Sequence, residues 1–375
     1  RTEHCKMIQN TRLSEKNENI KEFLNMDDLI RNNYFKGSIN INNNTVDYDY
    51  RLKDYYIKTA YNCFCSSGFR NGFVDKCALE NCASYGVRAL HMQIFSLDQV
   101  PIVAANSLNT NEYKESYNEI PFYEALSIID DTYFQSEDFG VQGVENNLRD
   151  DPLFLILQLH YGSDLSKLYA QGYSHYNEAK RTNQLIFYNK IYDTLIEQFN
   201  MARFASNEVR MLHPIDYESK RSLYVADMKM KDLKKKIFIF VILNGEQDYS
   251  VLKESKLGSI VDLFGDNELN HHRFNDLSSP EHATNISKYT SKNELSFCMP
   301  SLTSSQANYD FVRCMKQGTQ FIGMNFQTVD SNLSLYNNFF IEQHSMVSSD
   351  AMTSPYIKKP DHMIDLPLTT TLTST

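Results

Sequence analysis

The sequence lacks several common features, and each absence narrows the reading. No run approaches the ~20 apolar residues of a membrane-spanning helix; the longest apolar stretch, Ile237 to Leu243, has the length of a strand. There is no signal peptide and no initiator Met, so the N-terminus is expected to be processed or trimmed. The seven cysteines (Cys5, Cys63, Cys65, Cys77, Cys82, Cys298 and Cys314) contain no C-x-x-C pair, which argues against zinc and thioredoxin-like redox chemistry. Their odd number and irregular spacing fit free thiols in a reducing, intracellular and cytoplasmic setting. Basic residues are not in excess: 37 Lys and Arg against 47 Asp and Glu leave a formal net charge of -10. Such a chain makes a poor nucleic-acid binder and is repelled by anionic lipid unless a local basic patch outweighs the mean. Tryptophan is absent, so aromatic packing rests on 24 Tyr and 23 Phe. There is no internal repeat.

What is present is ordinary for a soluble globular protein: 375 residues, 42% hydrophobic and 22% charged. One α/β barrel of about 250 residues with extensions fits that length. A core of that size needs no metal or disulfide staple. Residues 1–50 form a polar, Asn-rich extension and linker, with helical periodicity over Ser14 to Phe35. From Tyr55 short apolar runs alternate with amphipathic stretches. Strands are expected at 56–64, 87–95, 102–105, 153–159, 237–243 and 321–326, and helices at 74–85, 122–133, 183–204 and 309–317. That alternation predicts a parallel sheet closed or flanked by helices. Residues 205–235 and 244–295 are polar and read as long connections, functional or partly disordered. A basic run, Lys229 to Lys236, includes Lys229, Lys231, Lys234, Lys235 and Lys236, and the Thr-rich tail 363–375 has no core pattern.

Three segments resemble eukaryotic phosphoinositide-specific phospholipase C, in both its X and Y halves. Gly86-Val87-Arg88-Ala89-Leu90-His91-Met92-Gln93-Ile94-Phe95 is similar to the family's G-C-R-C-V-E-L-D-C-W strand. Asp151-Pro152-Leu153-Phe154-Leu155-Ile156-Leu157-Gln158-Leu159-His160 is similar to P-V-I-L-S-L-E-N-H. Gln320-Phe321-Ile322-Gly323-Met324-Asn325-Phe326-Gln327-Thr328 resembles Q-x-V-A-L-N-F-Q-T, and Tyr356 to Pro360 resembles G-Y-L-L-K-P. Asn308-Tyr309, Lys231 to Ile237 and Leu277 to Ala283 are weaker matches in the same order. The resemblance implies a TIM-like (β/α) barrel. Residues 51–204 form the X-like half, 205–274 a polar linker region including strand 237–243, and 275–362 the Y-like half.

It also implies a reaction that this chain is not equipped to perform. In the family two His residues serve the phosphorane and the leaving group, and a Ca²⁺ held by an Asn and three carboxylates offsets developing charge. Here Tyr61 stands at the first His and Ala105 at the second. Of the calcium ligands Asn62 is retained, but His91, Gln93 and Gln158 replace the acids. A hard cation wants several anionic oxygens, so weak binding or none is expected. In the head-group site Phe240 and Ile242 fall where two Lys would grip phosphate and Phe297 where an Arg would; Ser278 matches a head-group Ser.

Bland readings accompany the remaining signals. His91 and His160 read as hydrogen-bonded structural residues, His271-His272 as a surface loop, and Ser66-Ser67-Gly68 as a loop lacking G-x-S-x-G. Asp130-Asp131 and Asp150-Asp151 read as loop or helix-end residues. The function expected is that of a pseudoenzyme without cofactors, a structural or scaffolding protein working through protein contacts in a large assembly. The A+T-rich residue usage makes a virion component one version of this. A peripheral membrane protein using the barrel rim and the basic run, or a phosphodiesterase rewired around Tyr61, His91 and His160, are the alternatives.

Overall fold

The computed structural model describes residues 50–107, 113–135, 151–161, 176–245, 247–278, 293–302, 306–340, 355–360 and 363–364. The expected helix at 14–35, the linker before Tyr50 and the tail lie outside the described residues.

The elements in chain order are β1 (Tyr55–Ala60), α1 (Lys76–Ser84), β2 (Ala89–Leu97), β3 (Val100–Ala104), β4 (Ile120–Pro121), α2 (Phe122–Asp130), β5 (Leu153–His160), α3 (Tyr176–Gln198), α4 (Ala205–Leu212), α5 (Tyr217–Ala226), β6 (Ile237–Asn244), α6 (Tyr249–Glu254), β7 (Leu263–Phe264), β8 (Asn270–Arg273), β9 (Ser296–Met299), α7 (Phe311–Lys316), β10 (Phe321–Met324), α8 (Ser331–Phe339) and β11 (Tyr356–Lys358). Eight strands run parallel in the order β7-β6-β5-β2-β1-β10-β9-β8. β3, β4 and β11 add antiparallel edges on β2, β3 and β1.

The sheet curls into a barrel. Phe321 on β10 meets Phe154 on β5 at 5.2 Å and Phe240 on β6 at 5.5 Å, contacts that cross the interior between strands that are not neighbours. The end strands β7 and β8 share no ladder; His271 Nε2 and the Gly265 carbonyl, 2.8 Å apart, span that seam. The central strands Leu-Phe-Leu-Ile-Leu-Gln-Leu-His and Ile-Phe-Ile-Phe-Val-Ile-Leu-Asn are apolar almost throughout because both faces are covered, as parallel strands require. Short polar caps start the helices: Asp75, Asp248, Asp310 and Asp330 each accept from a backbone N–H of the first turn.

Register sorts the inward positions into layers. Ala89, Phe154 and Phe238 form the lowest, then His91, Ile156 and Phe240, then Gln93, Gln158 and Ile242, then Phe95, His160 and Asn244. Apolar rings fill the floor, and polar side chains gather at the C-terminal ends of the strands.

Several motif residues prove to be braces of this scaffold. Buried Gln320 accepts from Ser296 N at 2.9 Å and donates to the Lys53 carbonyl at 3.1 Å. Asn308 accepts from Asn325 N at 2.6 Å and donates back to the Asn325 and Thr328 carbonyls. The Tyr309 hydroxyl reaches the Cys298 and Gly323 carbonyls.

Three expectations are corrected. Residues 205–235 carry α4 and α5, and the described part of 244–295 carries α6, β7 and β8, so over their described residues neither is an irregular connection. Strands of two and four residues are too short to show a period, and β8 reads Asn-His-His-Arg. His271-His272 lie on that strand, with His272 buried, and not in a surface loop. The free-thiol reading holds for Cys63, Cys65, Cys82, Cys298 and Cys314, but Cys77 is disulfide-bonded. Lastly, the basic run meets β6 at its N-terminal residue, whereas Gln158 and its neighbours lie at the C-terminal ends. Eight residues of strand at ~3.3 Å each hold the run about 25 Å from the mouth, so run and rim lie at opposite ends of the barrel.

Candidate functional site

The mouth of the barrel is built where β1 ends. Tyr61 N donates to the Met324 carbonyl, and Asn62 then turns with φ 46°, a left-handed conformation that Asn tolerates. This turn carries Asn62 onto the end of β2. Its N–H donates to His91 Nδ1 at 3.2 Å, and its Nδ2 to Gln93 Oε1 at 3.4 Å. With Nδ1 accepting, the proton of His91 sits on Nε2 and points to Gln158 Oε1, 3.2 Å away. The structure thus brings Asn62, His91, Gln93 and Gln158 together.

A fifth member was not expected. Asn106 N donates to Gln93 Oε1 at 2.8 Å, and Gln93 Nε2 donates to Asn106 Oδ1 at 3.1 Å. The only sequence signal for it was its place next to Ala105. All five residues are buried. The network is neutral: burial, reinforced by the positive charge of Arg273, lowers His91 to about 3 despite its bond to Gln158. His160, stacked on Phe95 at 4.3 Å and bonded to Asn244, is also lowered to about 3 by burial.

The position of the first family His is filled by an aromatic wall. Tyr61 stacks on His91 at 4.3 Å and packs edge-on to Phe69, while Phe297 on β9 stands 5.5 Å from His91. Ala105 makes only backbone bonds, to Ser116 Oγ and to the N–H groups of Glu115 and Ser116. Two of the expected head-group positions, Phe240 and Ile242, lie at different depths. Ile242 sits level with Gln158, but Phe240 lies one layer deeper among Phe154, Phe238 and Phe321. Sequence order alone could not separate two residues on one strand face by depth. Ser278 closes the turn Phe274–Ser278, and its side chain lies outside the described residues.

These residues do not fit calcium. The Gln93 carbonyl oxygen already accepts twice and that of Gln158 takes the His91 proton. The Asn62 Oδ1 atom, buried without a partner, is the one amide oxygen among them left over. Among the described residues no carboxylate bonds to them, and no three His, Cys, Asp or Glu side chains group as a metal site. Nor is His91 a proton donor of suitable strength: burial lowers it to about 3, so it stays neutral at pH 7.

Comparison with solved structures fixes the fold. S. officinalis PLC21 superposes with a TM-score of 0.57 at 16% identity, over 85% of this chain and 38% of that one. L. pealei PLC21 gives 0.51 at 15% identity, again over 85% of this chain and 38% of that one. A calcium-dependent phosphoinositol-specific phospholipase C from Pseudomonas sp. gives 0.45 at 10% identity, over 75% and 91%. No family model matches the sequence, and no curated protein matches it. The chain spans 38% of the PLC21 proteins and has the curled parallel barrel of the phosphoinositide phospholipase C catalytic fold.

Proposed function

We propose that this phospholipase C-like barrel performs no phosphodiester chemistry and serves as a structural component, binding other proteins through its outer surface within a large assembly such as a virion. One observation carries the first half: where the reaction needs imidazolium, carboxylate and a divalent cation, the described strand ends hold a network of neutral amides around a neutral imidazole. A pentavalent phosphorane gathers negative charge, and neutral donors already spent on one another have nothing to offer it. The second half follows from what remains. A barrel whose interior is packed with Phe154, Phe238, Phe240 and Phe321 keeps only its surface for work.

Two measurements test the reading. Purified chain assayed on phosphatidylinositol with calcium should give no turnover above a buffer blank, and chemical cross-linking in the native source should join it to protein neighbours. Turnover that disappears on His91→Ala would overturn the first half. A chain recovered only as a free monomer would overturn the second.

A further inference from the structure

The end of the barrel away from the mouth carries a second surface feature. The turn between α4 and α5 presents Met211, Leu212 and Ile215 to solvent at 75%, 68% and 97% exposure. Beside it runs the basic segment before β6. Lys236 joins the two: its ammonium pairs with Glu208 on α4 at 2.8 Å and donates to the Ala202 carbonyl, next to half-exposed Met201. Met211 and Leu212 follow Glu208 by one helical turn.

Among the described residues basic side chains outnumber acidic ones on this face. Its bordering acids are engaged internally: Asp216 by Lys220, Glu218 by Arg221 and Arg210, and Asp227 by Lys53 and Arg51. Lys229, Lys231, Lys234 and Lys235 are exposed, against Asp232. Three of these lysines also contact groups of the chain, yet their side chains remain at the surface.

We infer that this end of the barrel docks on an anionic lipid bilayer, the aliphatic turn entering the interface and the lysines meeting the head groups. The chemistry favours lipid over protein. Protein interfaces are rich in Tyr, Trp and Arg and poor in Lys. Here a projecting aliphatic tip is flanked by flexible lysines, the combination that binds a deformable, negatively charged surface. The inference is independent of the state of the mouth.

The full chain is mixed with phosphatidylcholine vesicles, with or without phosphatidylserine, and floated on a density gradient. Flotation is expected only with phosphatidylserine and should weaken as ionic strength rises. Lys231→Glu with Lys234→Glu and Lys235→Glu should weaken it roughly tenfold or more. Leu212→Asp with Ile215→Asp should also weaken it, while Phe73→Ser with Tyr117→Ser, two exposed rings 5.3 Å apart on the mouth-side loops that follow β1 and β3, should leave it unchanged. Circular dichroism melts confirm that each variant folds. Equal flotation on both vesicle types, or loss only in the mouth variant, overturns the inference. So does a chain that ignores vesicles but is held by polyglutamate beads, which reassigns the face to an acidic protein.

Discussion

Phe297 Cε2 stands 3.0 Å from the point where a Cβ on Gly323 would lie. Tyr61 Cβ and the Cys298 carbonyl close in at 3.3 and 3.2 Å. Glycine at this strand position therefore makes room for the two rings that wall the mouth. Gly→Ala in a strand interior ordinarily gains stability from reduced unfolded-state entropy. Here Gly323→Ala should instead cost about 1–3 kcal/mol through overpacking. Phe297→Leu introduced alongside it should recover part of that cost, giving a non-additive cycle in urea unfolding. Equal costs in both backgrounds would show that the rings and the glycine are not coupled.

The amide network makes a prediction about calcium. The wild-type melting temperature should be the same in calcium and in chelator. His91→Glu, Gln93→Asp and Gln158→Glu together place three carboxylates beside Asn62. In chelator this variant should lose several kcal/mol, because like charges are buried without partners. Millimolar calcium should restore part of the loss, by an amount that grows with the logarithm of its concentration. A calcium-dependent rise in the wild-type melt would contradict the geometry of Gln93 and Gln158.

The parts legible in the sequence were those fixed by local pattern. β5 and β6 announced themselves as apolar runs of strand length, and the ordered motifs placed Tyr61, Asn62, His91, Gln93 and Gln158 on strand ends that do converge. Depth and partnership were not legible. Phe240 fell into the floor because register with Ile156 sets its layer, and register is a property of two strands. Asn106 joined the network because the chain leaving β3 returns across the end of β2, a tertiary approach with no local signature. β8 was hidden by its composition, since Asn-His-His-Arg has no apolar alternation and pairs only through its backbone and the company of β9.

Buried neutral histidines set a pH dependence. His91 and His160 have an ordinary value of 6.5 and are lowered to about 3 in the folded chain. Below 6.5 the unfolded chain binds protons that the folded one refuses. Their stabilisation is therefore present above 6.5 and is lost as pH falls toward 3, by at most about 1.4 kcal/mol per pH unit for each ring. His160→Asn keeps an acceptor for Asn244 Nδ2 and removes one titration. The difference in unfolding free energy between wild type and this variant should change across pH 4 to 6.5 with that slope and be flat above 7. A difference constant over the whole range would mean that His160 protonates freely in the fold.

Asp262 should behave in the opposite sense. It is fully buried just before β7, its Oδ2 accepts from Ile239 N at 2.8 Å, and its Oδ1 has no partner. Burial raises it from 3.8 to about 8, with the Ile239 bond and the charges of Arg221 and Arg210 opposing the shift. A group raised in this way contributes stability below 3.8 that is lost as pH climbs through 8, because the unfolded chain releases its proton first. Asp262→Asn preserves the acceptor for Ile239 N and cannot ionise. At pH 4 the two proteins should be nearly equally stable, since both then bury a neutral group. From there the advantage of the variant should widen by at most about 1.4 kcal/mol per pH unit and level off above 8. Guanidinium unfolding at pH 4, 6 and 8 reads this directly. A variant that is less stable than wild type at pH 8 would mean that Asp262 is ionised in the fold and that Arg221 holds it so.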